Sequence, residues 1–320
     1  MGEVRKDYLL DRWVIIASER GKRPHEFKQR QRDPAKTECV FCPGAEKNTP
    51  GEVLRIADGK TWKMRIVPNK FGAVQPSGNA DIQTENTFFT FADNYGFAEV
   101  LIESPVHGTE LADLSLDDLD TVLRLYQERI TALSAKSGIR YVSAFKNQGA
   151  AAGTSLEHTH SQIIAFNHVP RIVEREAEAN HRYARDRPEG SCAYCDILAI
   201  EKQSLRHCFE NDSAVAFAPY ASRFPFELWI FPKRHATSLH GITDKERKEI
   251  AELLLSALQQ LKSIALPYNF FLHYAPVGTD LHFHIELIPR TEIWAGFEYS
   301  TETIINILPP EEAAKFYRGE

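Results

Sequence analysis

The sequence has 320 residues, of which 43% are hydrophobic and 26% charged, a balance typical of a globular protein with two domains or two fused halves. The formal net charge is −6 and no block of Lys or Arg dominates, which argues against a nucleic-acid partner. The first residues contain no apolar core of signal-peptide length, and no stretch reaches the ~20 apolar residues of a membrane helix, so we expect a cytoplasmic protein without a membrane partner.

The first part of the chain contains six features in a fixed order. They are a Cys-x-x-Cys pair, a predicted strand, a histidine, a helix N-cap, a β-rich stretch and a His-x-His motif, located at Cys39/Cys42, 99–102, His107, Ser115, 141–146 and His158/His160. A serine followed three residues later by an acidic residue is typical of a helix N-terminus, and apolar residues at helical spacing come next. These features predict strands, a crossover helix and then a strand that ends in the His-x-His motif.

The second part of the chain repeats these features in the same order. Their counterparts are Cys192/Cys195, 227–231, His235, Thr243, 268–274 and His282/His284. Recurrence of the whole series indicates a duplicated unit. We therefore predict an α+β protein with two tandem halves, residues 1–170 and 171–320, each a mainly antiparallel sheet with a crossover helix. The charged segment 167–191 is predicted to be a helical or extended connector between them.

Each half offers the four ligands of a structural zinc site, two thiolates and two imidazoles. The two sets are Cys39, Cys42, His107 and His158 in the first half, and Cys192, Cys195, His235 and His282 in the second. In the second half, Glu176, His273 and His284 form an alternative set, which suits iron as well as zinc. We prefer the sets that contain cysteine, because thiolates bind zinc tightly.

Residues 147–162 form the densest cluster of chemically active side chains. Gly149 and Gly153 permit a loop whose amides approach an anion closely, and Ser155 and Gln162 can donate to phosphate oxygens. One histidine of the His-x-His motif can bind metal while the other faces a ligand. A neutral imidazole is a nucleophile that can carry a phosphoryl group. Because the second half lacks this Gly- and Ala-rich loop, we predict that the chemistry belongs to the first half.

These motifs resemble the galactose-1-phosphate uridylyltransferase family, a member of the histidine-triad superfamily. The matching segments are 11–24, Cys39-Val-Phe-Cys42, 67–71, Ser104-Pro-Val-His107 and 147–162. The resemblance implies that each half is histidine-triad-like, that His158 is the fourth zinc ligand and that His160 carries a nucleotide monophosphate covalently. It also implies nucleotide- or phosphate-binding roles for Arg20, Arg23, Asn69, Asn147, Ser155 and Gln162.

The resemblance implies a ping-pong reaction between a nucleotide sugar and a hexose-1-phosphate, UDP-glucose and galactose-1-phosphate in this family, catalysed by a homodimer. The sequence departs from the family pattern at Thr159, where the family has proline, and at Glu292 and Ile304, where it has hexose-contacting Lys and Gln. The second Cys-x-x-Cys pair resembles a plant-type adenylyltransferase relative with two zinc sites. The alternative is therefore an adenylyltransferase or phosphorylase that acts on ADP-sugars or dinucleotides with the same histidine.

Overall fold

The computed structural model describes residues 3–10, 13–16 and 39–320. The strands in these ranges are β1 (Glu3–Lys6), β2 (Trp13–Ile16), β3 (Leu54–Asp58), β4 (Thr61–Pro68), β5 (Gln83–Thr84), β6 (Thr90–Phe91), β7 (Gly96–Ile102), β8 (Tyr141–Gln148), β9 (His160–Phe166), β10 (His207–Glu210), β11 (Ala214–Phe217), β12 (Leu228–Pro232), β13 (Tyr268–His273), β14 (His284–Pro289) and β15 (Ile304–Asn306). The α-helices are α1 (Leu116–Ser134), α2 (Arg171–Ala184), α3 (Ala193–Glu201), α4 (Asp244–Ser263), α5 (Gly296–Thr301) and α6 (Pro310–Arg318). The α+β prediction is confirmed, and the predicted connector contains α2.

The described residues form two compact units. The N-terminal unit contains residues 39–146 and 155–171, and the C-terminal unit contains 3–10, 13–16, 147–154 and 172–320. A compact unit is not the same thing as a duplicated half, so the division into 1–170 and 171–320 stays a prediction. None of the helices in the described ranges has both the length and the apolar composition that crossing a membrane requires.

In the N-terminal unit, five antiparallel strands are hydrogen-bonded in the order β3-β4-β7-β9-β8. Helix α1 connects β7 to β8 and packs on β9 with a face of buried apolar side chains. Its N-cap is Ser115, whose side chain accepts a hydrogen bond from the Asp118 amide. The Asp118 carboxylate itself forms an ion pair with Lys63. Along β9, buried residues alternate with half-buried ones, so one face of the strand is partly open.

The C-terminal unit repeats this arrangement. Its five antiparallel strands follow the order β10-β11-β12-β14-β13, and α4 connects β12 to β13. Thr243 and Glu246 form both bonds of a capping box at the start of α4. The counterpart of β9 is β14, and all of its residues are buried. The first hairpin, β1 and β2, joins β15 in a separate three-stranded sheet.

Candidate active site and metal centres

The N-terminal unit brings together the first predicted set of metal ligands, Cys39, Cys42, His107 and His158, whose ligand atoms lie within 4.8 Å of one another. Nδ1 of His158 is 3.6 Å from the Sγ atoms of Cys39 and Cys42, and Nδ1 of His107 is 3.6 Å from Sγ of Cys42. A tetrahedral ion bonded to sulfur at about 2.3 Å and to nitrogen at about 2.05 Å holds these atoms about 3.6 Å apart. The four residues therefore fit a zinc ion in number, chemistry and spacing.

Local structure aims these ligands at one point. The amide of Cys42 donates to the carbonyl of Cys39 at 3.1 Å, and this turn points both thiols the same way. Nε2 of His158 lies 2.7 Å from the Ser104 carbonyl, to which it donates, so Nδ1 is left for the metal. Phe41, between the two cysteines, is buried, and its ring centroid lies 5.4 Å from that of His160. The turn that carries the two cysteines therefore packs against His160.

His160 is the first residue of β9 and lies on its half-buried face together with Gln162. Its Nδ1 lies 2.8 Å from the carbonyl oxygen of His158. Because a carbonyl only accepts, Nδ1 carries the proton and Nε2 keeps its lone pair. Burial lowers the pKa of His160, which keeps the ring neutral near pH 7. This is the tautomer and the protonation state that a nucleophilic imidazole needs.

The other predicted binding residues are spread over several segments. Asn69 follows β4, and its side chain accepts a hydrogen bond from the Phe71 amide at 3.0 Å. The turn passes close to β7, since a Cβ on Gly72 would lie 2.7 Å from Cβ of Ala98. Ser155 belongs to the same unit and is exposed.

Asn147 belongs to the C-terminal unit. There its side-chain oxygen accepts a hydrogen bond of 2.7 Å from Asn269, which also donates to the Ala152 carbonyl at 2.9 Å. Asn269, which belongs to no motif found in the sequence, therefore holds the Gly- and Ala-rich loop in place. Arg20 and Arg23 lie outside the described residues.

The C-terminal unit assembles the second predicted set, Cys192, Cys195, His235 and His282, again with ligand atoms within 4.8 Å of one another. Sγ of Cys195 is 3.5 Å from Nδ1 of His235 and from Nδ1 of His282, which matches the tetrahedral spacing. Nε2 of His235 is oriented by the Asp280 carboxylate at 2.8 Å. A hydrogen bond from Cys195 lowers the pKa of Cys192 to about 4, which favours a thiolate.

The alternative acidic set is also formed, with one further member. The buried group is Glu176, His273, His284 and Glu286. Nδ1 of His273 is 2.9 Å from a Glu176 oxygen, and Nε2 of His284 is 3.6 Å from Glu286. Burial opposes the charge on Glu286, but Arg223 and the two histidines hold its pKa well below the ordinary value. The sequence presented the two sets as alternatives, whereas the fold builds both, and His282 belongs to the cysteine set.

A buried polar network lies beside His160, and no sequence motif indicated it. Its members are Glu103, Tyr126, Lys146, Thr159 and Ser161, each at most 2% exposed. The Glu103 carboxylate accepts from Lys146 Nζ at 2.5 Å, from the Thr159 hydroxyl at 2.6 Å and from the Ser161 hydroxyl. Tyr126, on α1, donates to Ser161 at 2.6 Å. Neither Glu103 nor Lys146 belongs to a motif from which their contact could be predicted.

Two family models match the chain. One, described as "Galactose-1-phosphate uridyl transferase, N-terminal domain", matches residues 2–170, and one described as "Domain of unknown function (DUF4921)" matches residues 109–316. The ADP-glucose phosphorylase of Arabidopsis thaliana is 32% identical over 99% of this chain and 92% of its own length. The galactose-1-phosphate uridylyltransferase of Thermotoga maritima is 28% identical over 99% of this chain and 98% of its own.

Solved structures also resemble the whole chain, as two examples show. An ADP-glucose phosphorylase from Arabidopsis thaliana, with bound ADP-glucose, has a TM-score of 0.85 at 30% identity and covers 100% of this chain and 99% of its own. A structure described as a uridylyltransferase has a TM-score of 0.76 at 29% identity and covers 100% and 98%. Both kinds of relative therefore match the chain over nearly its full length.

Proposed function

Because the chain belongs to the galactose-1-phosphate uridylyltransferase family, we propose that it is a nucleotidyltransferase that acts on nucleotide sugars. In this reaction Nε2 of His160 attacks the α-phosphorus of a nucleoside diphosphate sugar. The bond from that phosphorus to the bridging oxygen breaks, and the sugar 1-phosphate leaves. An acceptor phosphate then takes the nucleotide from His160. The observation that carries the proposal is the hydrogen bond of 2.8 Å from Nδ1 to the His158 carbonyl, which leaves Nε2 as the nucleophilic atom.

The other predicted residues receive roles in the same proposal. Gln162 shares the half-buried face of β9 with His160 and would donate to the phosphate oxygens, where negative charge develops. Ser155 and Asn147 would contribute further donors, and Asn69 would contact the nucleoside. Arg20 and Arg23 would offset the charge of the diphosphate.

We also propose that both Cys₂His₂ sets hold zinc. A bound zinc ion supplies a cross-link between distant segments and stabilises the fold. In the N-terminal unit, the knuckle residue Phe41 then packs against His160 and restricts its ring. The predicted homodimer and cytoplasmic location remain predictions.

The donor that we favour is ADP-glucose, with inorganic phosphate as the acceptor. The support is the similarity to the plant ADP-glucose phosphorylase, which has higher identity and a higher TM-score than the uridylyltransferases cited above. The second candidate is uridylyl transfer from UDP-glucose to galactose-1-phosphate. It is supported by the family model over residues 2–170.

The test is the intact mass of the protein after incubation with ADP-glucose or UDP-glucose without acceptor. We expect wild type and His181→Ala, which alters an exposed histidine on α2, to gain a nucleotide monophosphate, and His160→Ala to gain none. Release of ADP from the adduct by phosphate supports the phosphorylase, whereas transfer of UMP to galactose-1-phosphate supports the second candidate. Folded, metal-loaded wild type that forms no adduct with either donor would contradict the proposal.

A further inference from the structure

The buried network of Glu103, Tyr126, Lys146, Thr159 and Ser161 includes the residues on both sides of His160. The Glu103 carboxylate accepts from the hydroxyls of Thr159 and Ser161, the residues directly before and after it. Lys146 Nζ donates to Glu103 at 2.5 Å and to the Thr159 hydroxyl at 2.7 Å, so it also restricts the position of Thr159.

The main chain beside Glu103 makes two more of these contacts. The Glu103 amide lies 3.3 Å from the Thr159 carbonyl, to which it donates. The Ser104 carbonyl accepts from His158 at 2.7 Å. Residues 103 and 104, directly after β7, therefore contact the two residues before His160 and the one residue after it.

The C-terminal unit shows what the same positions look like without such a network. Ser161 pairs with Leu101 on β7 and Lys146 on β8, whereas its counterpart Ile285 pairs with Ile230 on β12 and Leu272 on β13. The same register gives the counterparts of the other network residues near the strands. Phe283 corresponds to Thr159, Leu272 to Lys146 and Pro232 to Glu103. All four are apolar and buried. The same strand order is thus built without any polar group at these positions.

Stability does not explain why the N-terminal unit keeps the network. Desolvation of a buried Lys–Glu pair can exceed the attraction between the charges, and apolar replacements of similar volume are often neutral or stabilising. A fully satisfied polar network, in contrast, fixes one geometry. The network is present in the unit that carries His160 and replaced by apolar residues in the unit whose equivalent histidine, His284, is fully buried.

We infer that Glu103 and Lys146 are positioning residues, which act through Thr159 and Ser161 to hold Nε2 of His160 in line with the α-phosphorus. This inference rests on the proposed nucleotidyl transfer. Phosphoryl transfer depends mainly on alignment, and a misplacement of about 1 Å can lower a rate about 100-fold. The residues make no contact with substrate in this account, so their loss lowers the rate of the chemical step and leaves donor affinity unchanged.

The experiment compares wild type with the double variant Glu103→Leu/Lys146→Met, which removes both charges together. Single-turnover formation of the nucleotidyl adduct is followed by intact mass over a range of ADP-glucose and UDP-glucose concentrations. We expect the rate constant at saturating donor to fall about 10- to 100-fold, with the half-saturating donor concentration, metal content and melting temperature retained. If the network served only to stabilise the fold, a variant as stable as wild type would form the adduct with the wild-type rate constant.

A second pair of variants decides the question if the double variant does not fold. Thr159→Val removes one hydroxyl at nearly constant volume, and Thr159→Ser keeps it. We expect Val to slow adduct formation and Ser to restore it. Equal rates in wild type and in the folded variants would overturn this inference alone, whereas the absence of an adduct in wild type would overturn the proposed function and this inference with it.

Discussion

Removing one charge of the buried pair should destabilise the protein strongly. Glu103→Gln leaves the ammonium of Lys146, only 1% exposed, without a counter-charge, while the hydroxyl of Thr159 stays within 2.7 Å. Breaking a buried ion pair in this way typically costs about 3–5 kcal/mol. At about 2–4 °C per kcal/mol for a large domain, the melting temperature should fall by about 6–20 °C. Thermal unfolding followed by circular dichroism at pH 7 measures this shift.

An exposed ion pair provides the matched control. Asp186→Asn makes the same carboxylate-to-amide change in the Arg185–Asp186 pair, whose side chains are 68% and 73% exposed. Such a pair contributes at most about 0.5–1 kcal/mol, so the melting temperature should hardly move. Adding Lys146→Met to Glu103→Gln should recover part of the loss, because the unpaired charge is gone. The reasoning would be refuted if Glu103→Gln melted together with Asp186→Asn, because Lys146 would then not need its counter-charge.

Three further changes test the metal sites, the helix cap and the Asn69 turn. Cys39→Ser should lose the metal of the first site and Cys208→Ser, a buried thiol outside both sets, should lose none, as elemental analysis would measure. The hydrogen bond from Arg234 lowers the pKa of Glu246 to about 2, whereas the pKa in the unfolded chain is about 4.3. Wild type should therefore exceed Glu246→Gln in unfolding free energy above pH 5, and this difference should shrink as pH falls towards 2, as urea titrations would measure. Gly72→Ala should raise the half-saturating donor concentration, whereas Gly51→Ala, with open space around its Cβ, should not.

Each of these predictions has a result that contradicts it. Equal metal content in Cys39→Ser and wild type would exclude the first ligand set. A stability difference for Glu246→Gln that is constant between pH 3 and pH 7 would show that the carboxylate charge adds nothing to the cap. Equal donor dependence in Gly72→Ala and Gly51→Ala would remove the Asn69 turn from the nucleotide site.

Features with a fixed spacing could be predicted from the sequence. The two Cys-x-x-Cys pairs and their distant histidines recur in one order, and this repetition was enough to predict both cysteine sets, whose members the structure brings together. The position of α4 followed from Thr243 and Glu246, because a capping box is a local interaction. The strands at the two His-x-His motifs were expected to end there, and this was wrong, because β9 and β14 each begin at the second histidine of the motif.

Contacts that depend on strand register could not be predicted. Glu103 and Lys146 are 43 residues apart and meet only because β7 and β8 both pair with β9. Asp280 orients His235 from a loop whose sequence contains no signal of that contact. Glu286 lies two residues after His284, and this spacing on one strand face could have added it to the acidic set.

The second His-x-His motif keeps one part of the first motif's geometry and loses another. Nδ1 of His284 donates to the His282 carbonyl at 2.9 Å, as Nδ1 of His160 does to His158. His284, however, is 0% exposed, and its ring stacks on Phe231 at 4.6 Å between centroids. In the described part of the chain, the two His-x-His motifs therefore hold their second imidazole by the same backbone hydrogen bond, but only that of His160 is partly exposed. If His160 carries the nucleotide as proposed, the chain should gain one nucleotide and not two, because His284 is buried although its Nδ1 makes the same hydrogen bond.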